Sequence, residues 1–418
     1  MAQNFIASQV TNRRRRGISA LCLGFLILIS GGGTLAVSLT ESESLRLGLE
    51  REAYRELLDS RQIRAESDLT AAKTWPNPQL ELSREELGDE TETAVWLRQA
   101  FDLSGRRGFS SQAAEAALEA VRLELDASRA ERRAEILRLF HQTLYHQRRE
   151  ALIGRWLERY ARVERSMRRR EEAGDVSGYD RLRISRERDS LMASQREELM
   201  GLEAAFWKLR ESLGLKEQRF DSLDGELLPD DPPDLGQVLE NLPNQPGLQS
   251  LRYQSEAGHF EVQAARRAKV PELVLGLGHK QFDSPQGDES GLMLSAGFTL
   301  PLFDRGEAQR QKAASNWRER QSEYRLAQVR VKTEAERRWG QARQSLDNAR
   351  LYLAQSLNDA HELLRIAETA YENNELGVLE LIDAYRSALD ADLNALRLAL
   401  EARLNRIELD SLRAGVMP

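Results

Sequence analysis

The chain has 418 residues, with 60 Lys and Arg against 67 Asp and Glu, a formal net charge of −7, and 30% charged against 41% hydrophobic residues. It is too long for a mini-protein, too polar for a bundle of membrane-spanning helices, and too rich in recurring Leu, Ala and Ile for intrinsic disorder. The mildly acidic balance argues against nucleic-acid binding, and the basic run Arg168-Arg169-Arg170 sits beside Glu171 and Glu172 as on a solvated helix face.

In chain order the first feature is a secretory signal peptide expected over residues 1–36. Arg13–Arg16 form its basic region, Ile18–Ile29 its apolar core, and Ser30–Ala36 supply small residues for cleavage. The apolar run is shorter than the roughly 20 residues of a membrane-spanning helix. Cleavage after Ala36 removes four arginines and no acid, which takes the net charge from −7 to −11. Cys22, the single cysteine, leaves with the signal, so no disulfide, thiolate metal site or thiol nucleophile is expected in the exported chain.

The remainder repeats itself. Trp75-Pro-Asn-Pro78 aligns with Lys269-Val-Pro271, Phe101-Asp-Leu-Ser-Gly-Arg106 with Leu300-Pro-Leu-Phe-Asp-Arg305, and Gly174–Leu182 with Asn374–Ile382, all about 200 residues apart and in one order. Two related units are therefore expected, over 37–225 and 247–418, joined by a proline-rich equatorial segment at 226–246 that cannot continue a helix.

Within each unit the apolar period changes. A short opening helix is followed by period-two stretches that predict a β-hairpin over 79–103 and another over 273–300. In the last strand Leu292, Leu294, Ala296, Phe298 and Leu300 alternate with Met293, Ser295, Gly297 and Thr299. Such a strand has the pattern of a membrane β-strand, but taken alone it reads first as part of an ordinary half-buried hairpin in a soluble domain. Proline-free stretches with Ala and Leu at three- and four-residue steps predict long helices over 109–172, 180–213, 305–372 and 380–412, the first about 90 Å long. Helices of this length must pack side by side. Four strands are too few to close a membrane barrel, so membrane-spanning strands have to be pooled from several chains, and three chains give twelve.

No catalytic or metal-binding arrangement stands out. His141 and His146 do not share a helical face, the other histidines are isolated, and neither a nucleophile elbow nor a phosphate-cradling loop occurs. No enzyme, cofactor or resident metal is expected.

The signal sequence, the tandem units, Asn77-Pro78 before the first strand, Leu103-Ser-Gly-Arg-Arg107 and Pro301-Leu-Phe-Asp-Arg-Gly306 at the strand-to-helix junctions, and the two turn motifs resemble the TolC-like outer membrane efflux proteins. Trp75-Pro-Asn-Pro-Gln-Leu80 and Phe101–Arg107 are most similar to the branch serving heavy-metal cation exporters of the resistance-nodulation-division type. The resemblance implies a mainly α fold with a small β part. In it a homotrimer builds a twelve-stranded β-barrel, four strands per chain, in outer membrane lipid, continued by an α-helical barrel of long antiparallel helices across the periplasm. It also implies a passive exit duct that docks to a periplasmic adaptor (membrane fusion) protein and an inner-membrane pump of that type. Export of small organic compounds is an alternative within the same channel class, and a periplasmic coiled-coil scaffold without transport is the alternative outside it.

The resemblance places the hairpin tips at the periplasmic entrance, in contact with the adaptor. These are Gly174, Asp175, Val176, Ser177, Gly178 and Asp180 in the first unit, and Asn374, Glu375, Leu376 and Gly377 in the second. The same residues also read as helix-capping chemistry, and both readings can hold together. Glu380 and Asp383 share a helical face and match the acidic pore constriction of the family, where three copies would make rings of carboxylates. Two departures from the family pattern are Glu at the first of these positions, where relatives often carry Asp, and Arg183 in the first unit where Asp383 stands in the second.

Overall fold

The structure, a computed structural model, describes residues 38–215, 222–285 and 287–418; the signal peptide and Cys22 lie outside the described residues. The described chain opens with β1 (Ser38–Thr40), α1 (Glu41–Leu49) and α2 (Glu52–Lys73). Thr40 caps α1 in a reciprocal pair: its hydroxyl accepts the Glu43 N–H at 3.3 Å while its own N–H donates to the Glu43 carboxylate at 3.0 Å. Next come the hairpin β2 (Gln79–Leu87) and β3 (Glu90–Phe101), then the antiparallel helices α3 (Arg106–Glu172) and α4 (Gly178–Leu213). β4 (Ser222–Asp224) pairs in parallel with β1. After it stand α5 (Leu235–Asn241), a 3-10 turn at Leu242–Asn244 and α6 (Pro246–Arg267). The chain finishes with the hairpin β5 (Leu273–Asp283) and β6 (Glu289–Phe298) and the helices α7 (Glu307–Ala354), α8 (Ser356–Glu372) and α9 (Val378–Arg413).

The two hairpins join into one antiparallel sheet of order β2-β3-β5-β6. Register gathers the alternating residues onto two unlike faces. Leu80, Leu97, Leu277 and Leu294 form one row and Leu82, Val95, His279 and Leu292 the next. Nothing among the described residues covers this face: Leu80 is 66% and Leu294 85% exposed. The opposite face is polar and internally paired, with Glu81 bonded to Arg98 and Glu92 to Lys280 at 2.5 Å. Trp96 lies flat on it over Gly278, where a Cβ would come within 2.7 Å of the indole, so only glycine fits beneath the ring.

The proline-rich segment between the units is fixed through its carbonyls, since prolines remove N–H donors from the backbone and leave oxygens to be satisfied. Arg403 of α9 donates to the carbonyls of Glu226, Leu227 and Leu228, Arg406 to those of Asp230 and Asp231, and Trp339 Nε1 to that of Pro233 at 2.8 Å.

A single helix is expected over 305–372, and the structure breaks it at Gln355 (φ −117°, ψ −75°) into α7 and α8. The hydrophobic repeat gives the reason. Ala335, Ala342 and Ala349 are buried at steps of seven, whereas Leu364 and Tyr371 keep the step but start one residue late. Leu363, which an unbroken repeat would bury, is 60% exposed. The break absorbs that one-residue skip and turns the apolar side of α8 back toward α9. In α4, Leu191 and Leu209 are buried, but Leu199 is 46% exposed, and Glu198 holds the buried position. Its carboxylate takes His146 Nδ1 at 2.6 Å and Arg149 Nη1 at 3.0 Å.

Ionic contacts tie three long helices at one level. Glu408 of α9 holds Arg138 of α3 at 2.6 Å and Arg338 of α7 at 3.2 Å, and Arg338 also reaches Glu334 at 2.7 Å. Hydrogen bonds from Arg337 first, and then from Arg338, outweigh burial and lower the Glu334 carboxyl from 4.5 to about 2. A carboxylate depressed on folding contributes stability that is complete above its unfolded pKa and is lost as pH falls through the folded value. Glu334→Gln is therefore expected to lessen the loss of urea resistance on acidification from pH 4.5 toward about 2, leaving the neutral-pH slope of the transition unchanged.

Candidate functional site

The two turns that end α3 and α8 have the same backbone. At the first, Gly174 takes φ +83°, its N–H bonds to the Glu171 carbonyl at 3.0 Å, and the Asp175 N–H bonds to the Arg170 carbonyl at 2.8 Å. At the second, Asn374 takes φ +62°, with the corresponding bonds to Tyr371 at 3.1 Å and Ala370 at 2.8 Å. Asn374 is the one non-glycine residue with positive φ among the described residues, and Gly and Asn are the residues that tolerate this helix-ending conformation. Val176 and Leu376 follow, each half-buried, and Leu376 packs against the apolar cluster that contains Tyr371.

The following helices are capped differently. Ser177 accepts the Asp180 N–H at 3.2 Å and donates to the Asp180 carboxylate at 2.7 Å, so both residues serve the start of α4. Gly377 has no side chain to offer, and the Glu380 carboxylate folds back into the vacant space: a Cβ on Gly377 would stand 2.7 Å from Glu380 Oε2. A negative group there sits at the positive end of the α9 dipole. Gly178 likewise leaves room for the Glu171 carboxylate, which holds Arg181 at 2.5 Å. Arg170 bridges the tips, donating to Asn374 Oδ1 with its guanidinium 5.1 Å from the Tyr371 ring. This contact joins the two turns, while Asp175 and Glu375 stay exposed.

Behind the tips lies a groove of about 1230 Å³ between α4, α8 and α9. Glu380 and Asp383 both line it, one turn apart, and both are exposed. Arg183, Arg186 and Arg386 line it with them, as does Glu187. Glu187 grips Arg386 through two hydrogen bonds, Nε–Oε2 at 2.9 Å and a shorter Nη2–Oε1 contact. That bonding, then the Glu187 charge, with a smaller contribution from Asp383, raises the Arg386 pKa. The groove thus carries three carboxylates and three guanidinium groups, with one tight pair bridging α4 and α9. The sequence leads to an acidic constriction with Arg183 in the first unit; the structure adds Arg186 and Arg386. The missed signal was in the repeat itself, since Arg186 and Arg386 stand at matching positions of the two turn-to-helix motifs.

An aromatic core supports the groove from behind. Tyr385 is buried against Tyr160 and Trp156, ring centroids 5.3 and 5.8 Å away, and donates its hydroxyl to Glu368 at 2.5 Å. Burial, reinforced by the Glu368 bond, raises the Tyr385 pKa, and burial pushes Tyr160 up to about 12. Trp156 Nε1 donates to Asp392 at 2.8 Å, and Asp392 also meets His361 Nε2 at 3.0 Å. Neither tyrosine was singled out from the sequence.

Residues 238–415 match the family model described as outer membrane efflux protein. The cobalt-zinc-cadmium resistance protein CzcC of Cupriavidus metallidurans is 24% identical over 335 residues, which is 79% of each chain. Among solved structures, CusC, described in connection with transmembrane channel formation, superposes with a TM-score of 0.76 at 16% identity over 93% of this chain and 96% of its own. The outer membrane protein VceC of Vibrio cholerae superposes with a TM-score of 0.75 at 14% identity over 90% and 97%. The second unit of the chain thus matches the outer membrane efflux protein model, the chain is similar in sequence to a cobalt-zinc-cadmium resistance protein over most of its length, and its fold, with tandem hairpins feeding one sheet and paired long helices, is that of these solved outer membrane channels.

Proposed function

We propose that three copies of the chain form the outer membrane exit duct of a tripartite efflux system, passing heavy-metal cations delivered by an inner-membrane pump through a periplasmic adaptor. The observation that carries this reading is the four-stranded sheet. Its leucine face is bare, its other face is polar, and β2 and β6 are edge strands with no further partner among the described residues. In lipid each unpaired backbone group costs several kcal/mol, so a spanning sheet must close. Joining β6 of one copy to β2 of the next closes twelve strands with leucines toward lipid and charge pairs toward water. None of the described helices is long and apolar enough to cross a membrane. The resistance to cobalt, zinc and cadmium named for CzcC supports a metal-cation cargo. The duct itself is passive: charge and width govern passage, and the pump supplies the energy.

In this reading Gly174–Gly178 with Asp180, and Asn374–Gly377, present the periplasmic tips to the adaptor, and Glu380 and Asp383 form rings at the narrow mouth. Replacing both acids by Ala leaves Arg183 and Arg186 facing the groove without them. The cation-to-anion permeability ratio of the trimer in planar bilayers is then expected to fall at least about fivefold, the effect of about 1 kcal/mol of lost attraction in water-like surroundings. An unchanged ratio would remove these residues from the constriction.

A further inference from the structure

At the opposite end of the helical region, where the strands give way to helices, the surface changes character. Arg106 and Arg107 open α3, Arg266, Arg267 and Lys269 stand at and just after the end of α6, and Arg305 precedes α7. Of the three carboxylates in the same segments, two are committed to backbone. Asp102 accepts the N–H groups of Ser104 and Arg107 at 2.9 Å each, and Asp304 accepts that of Gly306 at 2.8 Å. Among the described residues Arg106, Arg266, Arg267, Lys269 and Arg305 make no ion pair. Arg107 stacks 3.5 Å above the Trp75 ring, and its buried Nη1 has no hydrogen-bond partner.

Two of these cations share a pocket with apolar walls. It has a volume of about 390 Å³ and is lined by Arg106 and Arg267, by Leu300, Pro301, Leu302 and Phe303, and by the carboxylates of Glu272, Asp102 and Asp304, the last two accepting backbone N–H groups. Leu302 is exposed and Phe303 is fully so, at 101%. Leu300 continues the parity of Leu294, Ala296 and Phe298, which belong to the uncovered apolar face of the sheet. Cations with unused hydrogen-bonding capacity beside bare apolar side chains, at the end of a sheet with one leucine face, match an amphiphile whose anionic head adjoins hydrocarbon.

We propose that this pocket binds the phosphate of an anionic phospholipid in the periplasm-facing leaflet, with Arg106 and Arg267 on the phosphate and Leu300, Leu302 and Phe303 against the glycerol and upper acyl chains. Arg107 and Trp75 form the second tier of the same belt. The inference rests on the membrane-spanning reading of the sheet. Long basic side chains and aromatic rings are the groups that settle at a membrane boundary. The occupant is a lipid and not free phosphate because the apolar walls would otherwise stay bare to water, and it is anionic because the six cations of these junction segments outnumber their three carboxylates, Asp102, Glu272 and Asp304.

The test is native mass spectrometry of the detergent-solubilised trimer with added phosphatidylglycerol, phosphatidylcholine or inorganic phosphate, for the wild type and for Arg106→Gln and Arg267→Gln. Phosphatidylglycerol adducts are expected to outlast phosphatidylcholine adducts, and each substitution to lower phosphatidylglycerol retention about fivefold, with Arg106→Lys and Arg267→Lys retaining most of it. Equal retention of the two lipids by the wild type, retention unaltered by either Gln variant, or displacement of lipid by inorganic phosphate would overturn the proposal. Trimer mass is read in the same spectrum, so a chain that does not assemble registers as failure of the channel reading and not of the lipid site.

Discussion

Leu294→Arg is expected to abolish the stable trimer, while Met293→Arg next to it leaves trimer yield close to wild type. Leu294 is among the most exposed side chains of the sheet and sits in a row of four leucines spanning all four strands. An arginine at the lipid midplane of an outer-membrane barrel costs about 2–4 kcal/mol, and the trimer carries the change three times. Met293 has the opposite parity, in the row of Glu81, Trp96 and Gly278, on the water side. The comparison therefore separates facing from mere crowding of the strand. Heat-labile trimer bands in outer-membrane extracts report both variants, and equal yields from the two would mean that the leucine face does not meet lipid.

The second large effect is expected at the aromatic core behind the tips. Tyr385→Ala removes a ring that touches Tyr160 and Trp156 and is buried among residues of α3, α8 and α9, and truncation of a large core ring costs about 3–5 kcal/mol. Tyr385→Phe deletes only the hydroxyl bonded to Glu368, which costs about 1 kcal/mol. The alanine variant should shift the urea midpoint followed by intrinsic tryptophan fluorescence, to which Trp156 beside Tyr385 contributes, several times further than the phenylalanine variant. Equal shifts would show that the hydroxyl, not ring packing, holds the tip together. Because Tyr385 lies on the same helix, five residues after Glu380 and two after Asp383, loosening it also frees the groove wall they occupy.

The sequence made the fold class legible because two strong periodicities alternate in it and then recur. Leu292–Leu300 alternates cleanly because one face of β6 is apolar, and the alanine-rich helices show three- and four-residue steps because they pack closely on neighbours. What stayed hidden is physically of three kinds. β1 and β4 are three-residue strands, too short to show a period. The break at Gln355 has no proline or glycine to mark it and is visible only as a one-residue slip between Ala349 and Leu364. Glu198 holds a core position through partners 49 or more residues away in sequence, His146 and Arg149, which no local pattern reveals.

The site was legible in part. Asn374 and Gly174 stood at matching turn positions, and both have the positive φ that explains the choice of residue. Glu380 and Asp383 do share a face on one groove. The Glu187–Arg386 pair was not foreseen because it joins the two units across the fold, and the sequence of either helix shows only one more charge on a charged helix.

The central claim is that the bare sheet edges are closed by other copies of the same chain in the outer membrane. Its most direct test is fractionation of cells followed by detergent extraction and mass determination of the native protein. The protein should partition with the outer membrane and be recovered as a trimer that dissociates on heating in detergent. A soluble, elongated monomer recovered from the periplasm would contradict it.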